Sequence, residues 1–378
     1  MAISHKIKFR IYNEIMLELL IAFFFSLIVT LLIVKFNYLH DHLTADSNLT
    51  GPQNFHKVPV PRIGGVSIVV GLCAAILLSS KNLPDASIPL IFLLCVIPTF
   101  AIGLFEDLTK KISANIRLFL TAISAALITY LLQMQILRLD IPVLDLLFTV
   151  PFVGIFFTIF AMTGLANAYN IIDGFHGISS MIGIITLLFI TYISFKVADP
   201  TIIYLCLTMI GAICGFFIWN YPRGLIFLGD GGAYLIGFWI SSITILLINR
   251  HHEISPWFGL VINAYPIMEV GFSIYRRVVH QGNNPAKPDG MHLHTLIYRR
   301  IVKNRARVKD APSLNSKVAP LLWILSMMGA IPAVIWYHST SALVCVSIFF
   351  TALYIWLYVI IIKFRTPKWL TVLLKLGY

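Results

Sequence analysis

An all-α, polytopic membrane bundle is the fold class this sequence predicts, and three observations predict it. Apolar runs of spanning length recur along nearly the whole chain, and about 20 apolar residues suffice for a helix to cross a bilayer. Of the 378 residues 58% are hydrophobic and only 12% charged, with a mean hydropathy of +0.87, whereas soluble domains carry about 25% charge. Lys and Arg gather on alternate loops, as membrane topology requires.

Eleven runs qualify, for a bundle of about 10–11 transmembrane helices: approximately 15–35, 63–80, 88–106, 115–133, 149–167, 178–197, 201–219, 233–249, 256–274, 318–338 and 341–362. The first is long, and no small-residue cleavage site clearly follows it, so it reads as an anchor and not a cleaved signal. No soluble domain or convincing repeat interrupts the series, so residues 1–378 form one transmembrane domain. Loops at about 36–62 (with Lys35 at its edge), 107–117, 168–177, 220–232 and 275–317, with the tail after 362, hold 21 of the 28 basic residues. That side is expected in the cytoplasm and the N-terminus outside, although Lys6, Lys8 and Arg10 pull the other way. The net charge of +12 then sets topology and meets anionic headgroups, and no nucleic-acid partner is expected. Cys73, Cys95, Cys206, Cys214 and Cys345 all lie inside apolar runs without metal-type spacing, and read as small core hydrophobes.

The polar exceptions fall on the basic side. Asn167-Ala-Tyr-Asn-Ile-Ile-Asp-Gly-Phe-His-Gly177 is pressed between two apolar runs. Its polar groups cannot go unpaired in hydrocarbon, where each costs several kcal/mol, so they line a wet cavity or a membrane surface. Asn167, Asn170 and Asp173 fall at i, i+3 and i+6, on one face of a helix end. A capping loop is the plainer alternative.

Four further stretches share that side. His56-Lys57-Val-Pro-Val-Pro61-Arg62-Ile-Gly64-Gly65 combines a proline-fixed approach with paired glycines for close packing. Lys57 and Arg62 could hold an anion there or merely flank a span. Glu106-Asp107 before Lys110-Lys111 could bind a divalent cation, take a proton, or sit as a solvated charge run. Asp230, in Phe227-Leu-Gly-Asp-Gly-Gly232, suits magnesium, which takes one or two carboxylates and keeps several waters; a helix N-cap is the alternative. Asp289-Gly-Met-His292-Leu-His294, followed by Arg299-Arg300, could grip phosphate or be a solvated basic loop.

In order and content these five stretches resemble the polyprenyl-phosphate N-acetylhexosamine-1-phosphate transferase family of bacterial envelope synthesis, from about His56 to Arg300. The resemblance implies transfer of N-acetylhexosamine 1-phosphate from a UDP-sugar to polyprenyl (undecaprenyl) phosphate. The products would be polyprenyl-diphosphate-sugar and UMP, initiating a glycan such as O-antigen, at the cytoplasmic face of a multi-pass protein of the bacterial inner membrane. It implies Mg2+, with Mn2+ as a substitute, and a homodimer is compatible with it. Carried over by position, Asp230 is the main metal ligand with Asp107. Glu106 and Asp107 are catalytic acids that assist the metal or accept the lipid phosphate's proton. Lys57, Asn170 and Asp173 line the nucleotide and diphosphate site, Phe227 stacks on uracil, and His292 and His294 hold phosphate or nucleotide.

The chain departs from that pattern in places. Glu106 stands for an expected Asp, Thr295 for a further His, and Gly290 for an Arg; Glu269 again lengthens an Asp. His176 stands where the family has an acid near the base, which puts uridine recognition in doubt. Three alternatives remain: an inactive member, a transporter of a lipid-linked or anionic solute, and a membrane prenyltransferase. A transporter would place polar groups on broken helices near the midplane, and a prenyltransferase would want two aspartate-rich motifs where this chain has one acid pair.

Overall fold

The structure, a computed structural model, describes residues 2–44, 60–79, 85–280, 282, 289–302 and 314–363. Lys57 and His56 lie outside the described residues. The helices are α1 (Ala2–Lys35), α2 (Asn37–Thr44), α3 (Gly64–Ser79), α4 (Ser87–Thr109), α5 (Ala114–Leu132), α6 (Pro142–Asp145), α7 (Pro151–Ile172), α8 (Ile178–Lys196), α9 (Pro200–Asn220), α10 (Gly229–Arg250), α11 (Trp257–Ile262), α12 (Ala264–Tyr275), α13 (Leu293–Ile297), α14 (Ala319–Ile335) and α15 (Thr340–Ile362). Among the described residues there is no β-strand. The chain is an all-α, multi-pass membrane protein.

Nine of these helices, among the described residues, are long and apolar enough to cross a membrane. Of the other two predicted runs, one is a shorter helix and one is broken. The 63–80 run forms the 16-residue α3. The 256–274 run breaks into α11 and α12 at Asn263, whose Nδ2 donates to the Gly259 carbonyl at 3.0 Å and whose Oδ1 accepts from Tyr169 Oη at 3.3 Å. Pro266, with no N–H to give back to the preceding turn, reinforces the break. A broken helix is what the transporter alternative expects, but the polar groups of this one are satisfied inside the bundle.

The bundle is built around α10, buried over 94% of its apolar window against 22% for α1. Close approach comes from glycine. A Cβ on Gly211 would lie 2.3 Å from the Leu19 carbonyl oxygen, and one on Gly215 2.4 Å from that of Phe23. This four-residue spacing lets α9 and α1 touch backbone to backbone, the small-residue packing that holds helices together where lipid supplies no hydrophobic drive. Helix starts are capped where the sequence offers a donor-seeking oxygen: Ser113 accepts from Ile116 N, and Asp199 from Ile202 N at 3.1 Å.

Alternate helix ends therefore collect at two faces. One face carries the C-terminal ends of α1, α4, α7, α9 and α12, which lead into the side counted as basic. The opposite face is laced by ion pairs, Arg250 to Asp85 at 2.8 Å and to Asp199 at 3.2 Å, with His251 Nε2 3.1 Å from Asp199.

Candidate active site

The N-terminus of α10 is the hub of the basic face. Three glycine contacts seat it. Ideal Cβ atoms on Gly65 and Gly103 would lie 2.4 Å from Gly232 N and 2.6 Å from Gly231 Cα, and one on Gly229 (φ +76°) would strike the Arg62 carbonyl and Asp107 Oδ2. The 61–65 segment is laced alongside, with Phe227 N donating to Pro61 O at 2.8 Å, Gly64 N to Phe227 O at 3.0 Å and Gly65 N to Leu228 O at 2.9 Å. The close packing expected of the paired glycines is thus against α10.

Asp107, buried on α4, reaches across to this helix end. Its Oδ1 accepts from Asp230 N at 2.8 Å and its Oδ2 from Gly231 N at 2.9 Å. The N-capping role considered for Asp230 therefore belongs to Asp107, which meets two of the orphan N–H groups every helix leaves at its start. Glu106 is half-buried and turns the other way, its Oε2 accepting from Ile112 N at 2.7 Å. Asp230 is free of capping duty and pairs with two guanidinium groups. Arg117 on α5 forms an ion pair with its Oδ2, and Arg62 stands 3.6 Å from its Oδ1.

Arg117 is a site residue that sequence reading missed. It lies over the Tyr234 ring at 5.9 Å, and Tyr234 Oη donates to Asn167 Oδ1 at 2.9 Å. A line of contacts thus runs from Asp230 to the Asn167–Gly177 stretch. Asp107 lies within electrostatic reach of Arg62, Asp173 and Glu106. Asn167 and Asn170 belong to the last turn of α7, and Asp173 is its C-cap. The desolvated surroundings of Asp173 push its carboxyl up to about 7, against the pull of Arg62.

The rest of that stretch is fastened from two sides. Asn220, also missed from sequence, accepts from Gly177 N at 2.8 Å and donates to Ile226 O at 2.7 Å, while Trp323 Nε1 donates to Gly177 O at 2.9 Å. His176 is buried and stacks on Phe227, ring centroids 5.3 Å apart and planes within 15°. A Cβ on Gly224 (φ +64°) would fall 2.2 Å from that imidazole, so only glycine leaves room for the stack.

His292 and His294 do not form the solvated loop considered as an alternative; both are buried. His294 Nε2 would be 2.5 Å from a Cβ on Gly174, and its ring meets Phe175 edge-on at 5.7 Å. The histidine segment is thereby packed on the Asp173 turn. Burial holds the His294 imidazole down to about 4, outweighing the attraction of Glu269, so it is neutral at pH 7.

This has a stability consequence of definite sign. An unfolded histidine protonates near 6.5, so between pH 6.5 and 4 the unfolded chain binds the extra proton. Stability from His294 falls by up to about 1.4 kcal/mol per pH unit as pH drops through that window. Asp173 acts oppositely, since its folded-state proton is held up to about 7. The difference between wild-type and His294→Asn melting profiles isolates the first effect. Wild type should lose relative stability from pH 6.5 to 4.5, and parallel profiles would refute the neutral buried imidazole.

Glu106, Asp107, Asn170, Asp173, His176, Phe227, Asp230, His292 and His294 thus gather at one end of the bundle. No group of three or more His, Cys, Asp or Glu among the described residues could hold a metal unaided. Two neighbouring carboxylates, Asp107 and Asp230, do fit a cation that completes its shell with water and phosphate oxygens.

Such a molecule is a multi-pass membrane protein that gathers acids, guanidinium groups and imidazoles into one polar site against a single face. The glycosyl transferase family 4 profile matches residues 89–248, from α4 to near the end of α10. The chain belongs to this family. Over 296 residues it is 29% identical to the undecaprenyl-phosphate alpha-N-acetylglucosaminyl 1-phosphate transferase of Salmonella typhi, covering 75% of this chain and 76% of that one. It is 28% identical over 288 residues to the Thermotoga maritima enzyme of that name (76% and 82% covered) and 31% over 255 residues to the Escherichia coli K12 one (65% and 66%).

Proposed function

We propose that this chain transfers N-acetylhexosamine 1-phosphate from a UDP-sugar to a polyprenyl phosphate such as undecaprenyl phosphate, releasing UMP at the cytoplasmic face of a bacterial inner membrane. The reading is supported by the seating of the 61–65 segment, Asp107 and Arg117 on the N-terminus of α10, with the Asn167–Gly177 and histidine stretches packed on one another beside it, and by similar proteins named as undecaprenyl-phosphate alpha-N-acetylglucosaminyl 1-phosphate transferases. One substrate is polar and the other a membrane lipid, so a polar site at the end of an apolar bundle is where they can meet.

In this reaction a lipid phosphate oxygen attacks the sugar-bearing phosphorus of the UDP-sugar. A new P–O bond forms, the bond to the bridging oxygen breaks, and UMP leaves with that electron pair. One phosphoanhydride replaces another, so positioning and charge neutralisation supply the catalysis. Arg117 and Arg62 hold the diphosphate charge. Glu106 is better suited than Asp107 to take any remaining lipid-phosphate proton, because both Asp107 oxygens already accept backbone N–H groups. With a phosphate second pKa of about 6, the lipid phosphate is mostly ionised at pH 7 and needs little help. Asp230, with Asp107, would hold Mg2+, which when bound supplies positive charge to the crowded phosphate oxygens. Uracil recognition falls to Phe227 and His176, with Asn170 and Asp173 along the nucleotide and His292 and His294 on phosphate.

The deciding experiment offers purified protein in lipid nanodiscs a panel of UDP-N-acetylhexosamines with Mg2+. UMP should appear only with polyprenyl phosphate present, and mass spectrometry should find the lipid heavier by one sugar phosphate. Solute flux without turnover would establish the transporter instead, and inorganic diphosphate as product would establish a prenyltransferase.

A further inference from the structure

Glu269 is buried on α12, and the site's two histidines depend on it through a chain of contacts. Its Oε1 accepts from Leu293 N at 2.9 Å, at the first residue of α13, and lies 3.0 Å from His292 Nδ1. A carboxylate oxygen can only accept, so the proton of that second bond is on Nδ1, and Nε2 is the nitrogen left for a ligand. The next turn of α12 and the residue that caps its end extend the grip on the same stripe. Ser273 Oγ donates to Asp289 Oδ2 at 2.7 Å, and Arg276 Nη2 bonds the same oxygen. Asp289 Oδ1 accepts from Met291 N at 2.9 Å. Positions 269, 273 and 276 are i, i+4 and i+7, one face of a helix, and together they pin residues 289–293 to α12.

The His292 ring in turn lies parallel to that of His294, centroids 5.3 Å apart and planes within 14°. His294 packs on Gly174, beside Asp173. Orientation imposed at Glu269 is therefore passed to the Asp173 turn through two stacked rings.

We propose that Glu269 is the positioning residue of the histidine segment. Its carboxylate fixes His292 in the Nδ1–H tautomer and seats the first turn of α13, so that His292 Nε2 and the His294 ring meet substrate phosphate in one orientation. The phosphate part rests on the transferase reading; the tautomer and charge part does not. The other titratable or charged groups around the pair are Tyr265 of α12 and Arg276 directly after it, Asp289 and His294 of the segment, and Tyr354 and Tyr358 of α15. None of them reproduces the paired bonds of Glu269 to His292 and Leu293.

Glu269→Gln separates charge from shape, because its amide oxygen can still accept both bonds. Two measurements on the full chain test it. Histidine C2-hydrogen exchange followed by mass spectrometry gives the titration midpoint of His292 without any need for activity. Glu269→Gln should lower it by about one pH unit, as removal of an adjacent opposite charge does, while Glu269→Asp, which keeps the charge, should leave it nearly in place. In the UMP assay Glu269→Gln should cost about tenfold in kcat/KM in wild type and less than twofold on a His292→Asn background, since coupled residues are not additive. An unmoved His292 midpoint, or equal losses in both backgrounds, overturns the proposal. A wild type without turnover overturns the transferase reading alone, and the exchange measurement still decides the role of Glu269. Should Glu269→Gln fail to fold, Glu269→Asp withdraws the oxygen by about 1.5 Å, one C–C bond, and must still show the loss of kcat/KM and its dependence on His292.

Discussion

Asp230→Asn should lose about 10²–10³-fold or more in UMP release, the range expected when a fixed charge facing phosphoryl chemistry is removed. It should also destabilise the empty protein, and the two losses have separable causes. Arg117 and Asp230 are only 17% and 12% exposed at their side chains. Removing one partner of a largely buried pair strands the other charge, at a cost of about 3–5 kcal/mol. Adding Arg117→Gln to Asp230→Asn removes the stranded charge, so the double variant should regain thermal stability without regaining turnover. Thermal melting with and without Mg2+, alongside the UMP assay, reads both quantities. Recovery of activity in the double variant would mean that Asp230 serves only to neutralise Arg117. A single Asp230→Asn variant with full activity would remove it from the site altogether.

The pair also marks where sequence reading stops. Asp230 was legible because glycines bracket an acid at the mouth of an apolar run, and hydrocarbon tolerates such a group only for a reason. Arg117 sits near the start of α5, close behind Lys110 and Lys111, and was absorbed into the topology count as one more basic residue. Nothing local distinguishes a cation that sets orientation from one that meets an acid 113 positions on. Asn220 was invisible for the same reason, since its value lies in bonds to Gly177 and Ile226. The eleven apolar runs were readable because spanning length is a property of each segment alone. The break at Asn263 was not, because it depends on a Tyr169 hydroxyl from α7. Asp107 is the sharpest case. An acid pair at a helix end predicted metal or proton chemistry, while its observed bonds cap a helix 123 residues away. The capping bonds leave further lone pairs on both oxygens that a cation could use, but they make Glu106 the better proton acceptor of the pair.

Gly103 offers the strongest test of whether site geometry follows from helix packing. On an isolated apolar helix Gly103→Ala would be favourable by about 1 kcal/mol, and α4 as a separate helix would gain. In the bundle the new Cβ would lie 2.6 Å from Gly231 Cα and 2.7 Å from Gly231 N. Both are backbone atoms, so no side-chain rotation can relieve the contact and α4 and α10 must separate. Overpacking of this kind costs about 1–3 kcal/mol, more than the helix propensity returns. The displaced part of α10 carries Asp230, and its capping bonds to Asp107 span the same gap. Misplacement by about 1 Å can cost on the order of 10²-fold in rate, so Gly103→Ala should reduce turnover far more than its modest loss of melting temperature suggests. Gly164→Ala on α7 is the matched control, because nothing lies within 4 Å of its would-be Cβ; it should keep turnover near wild type and leave stability at wild type or up to about 1 kcal/mol above it. Equal behaviour of the two variants would show that the seating of α10 against α4 does not set the site.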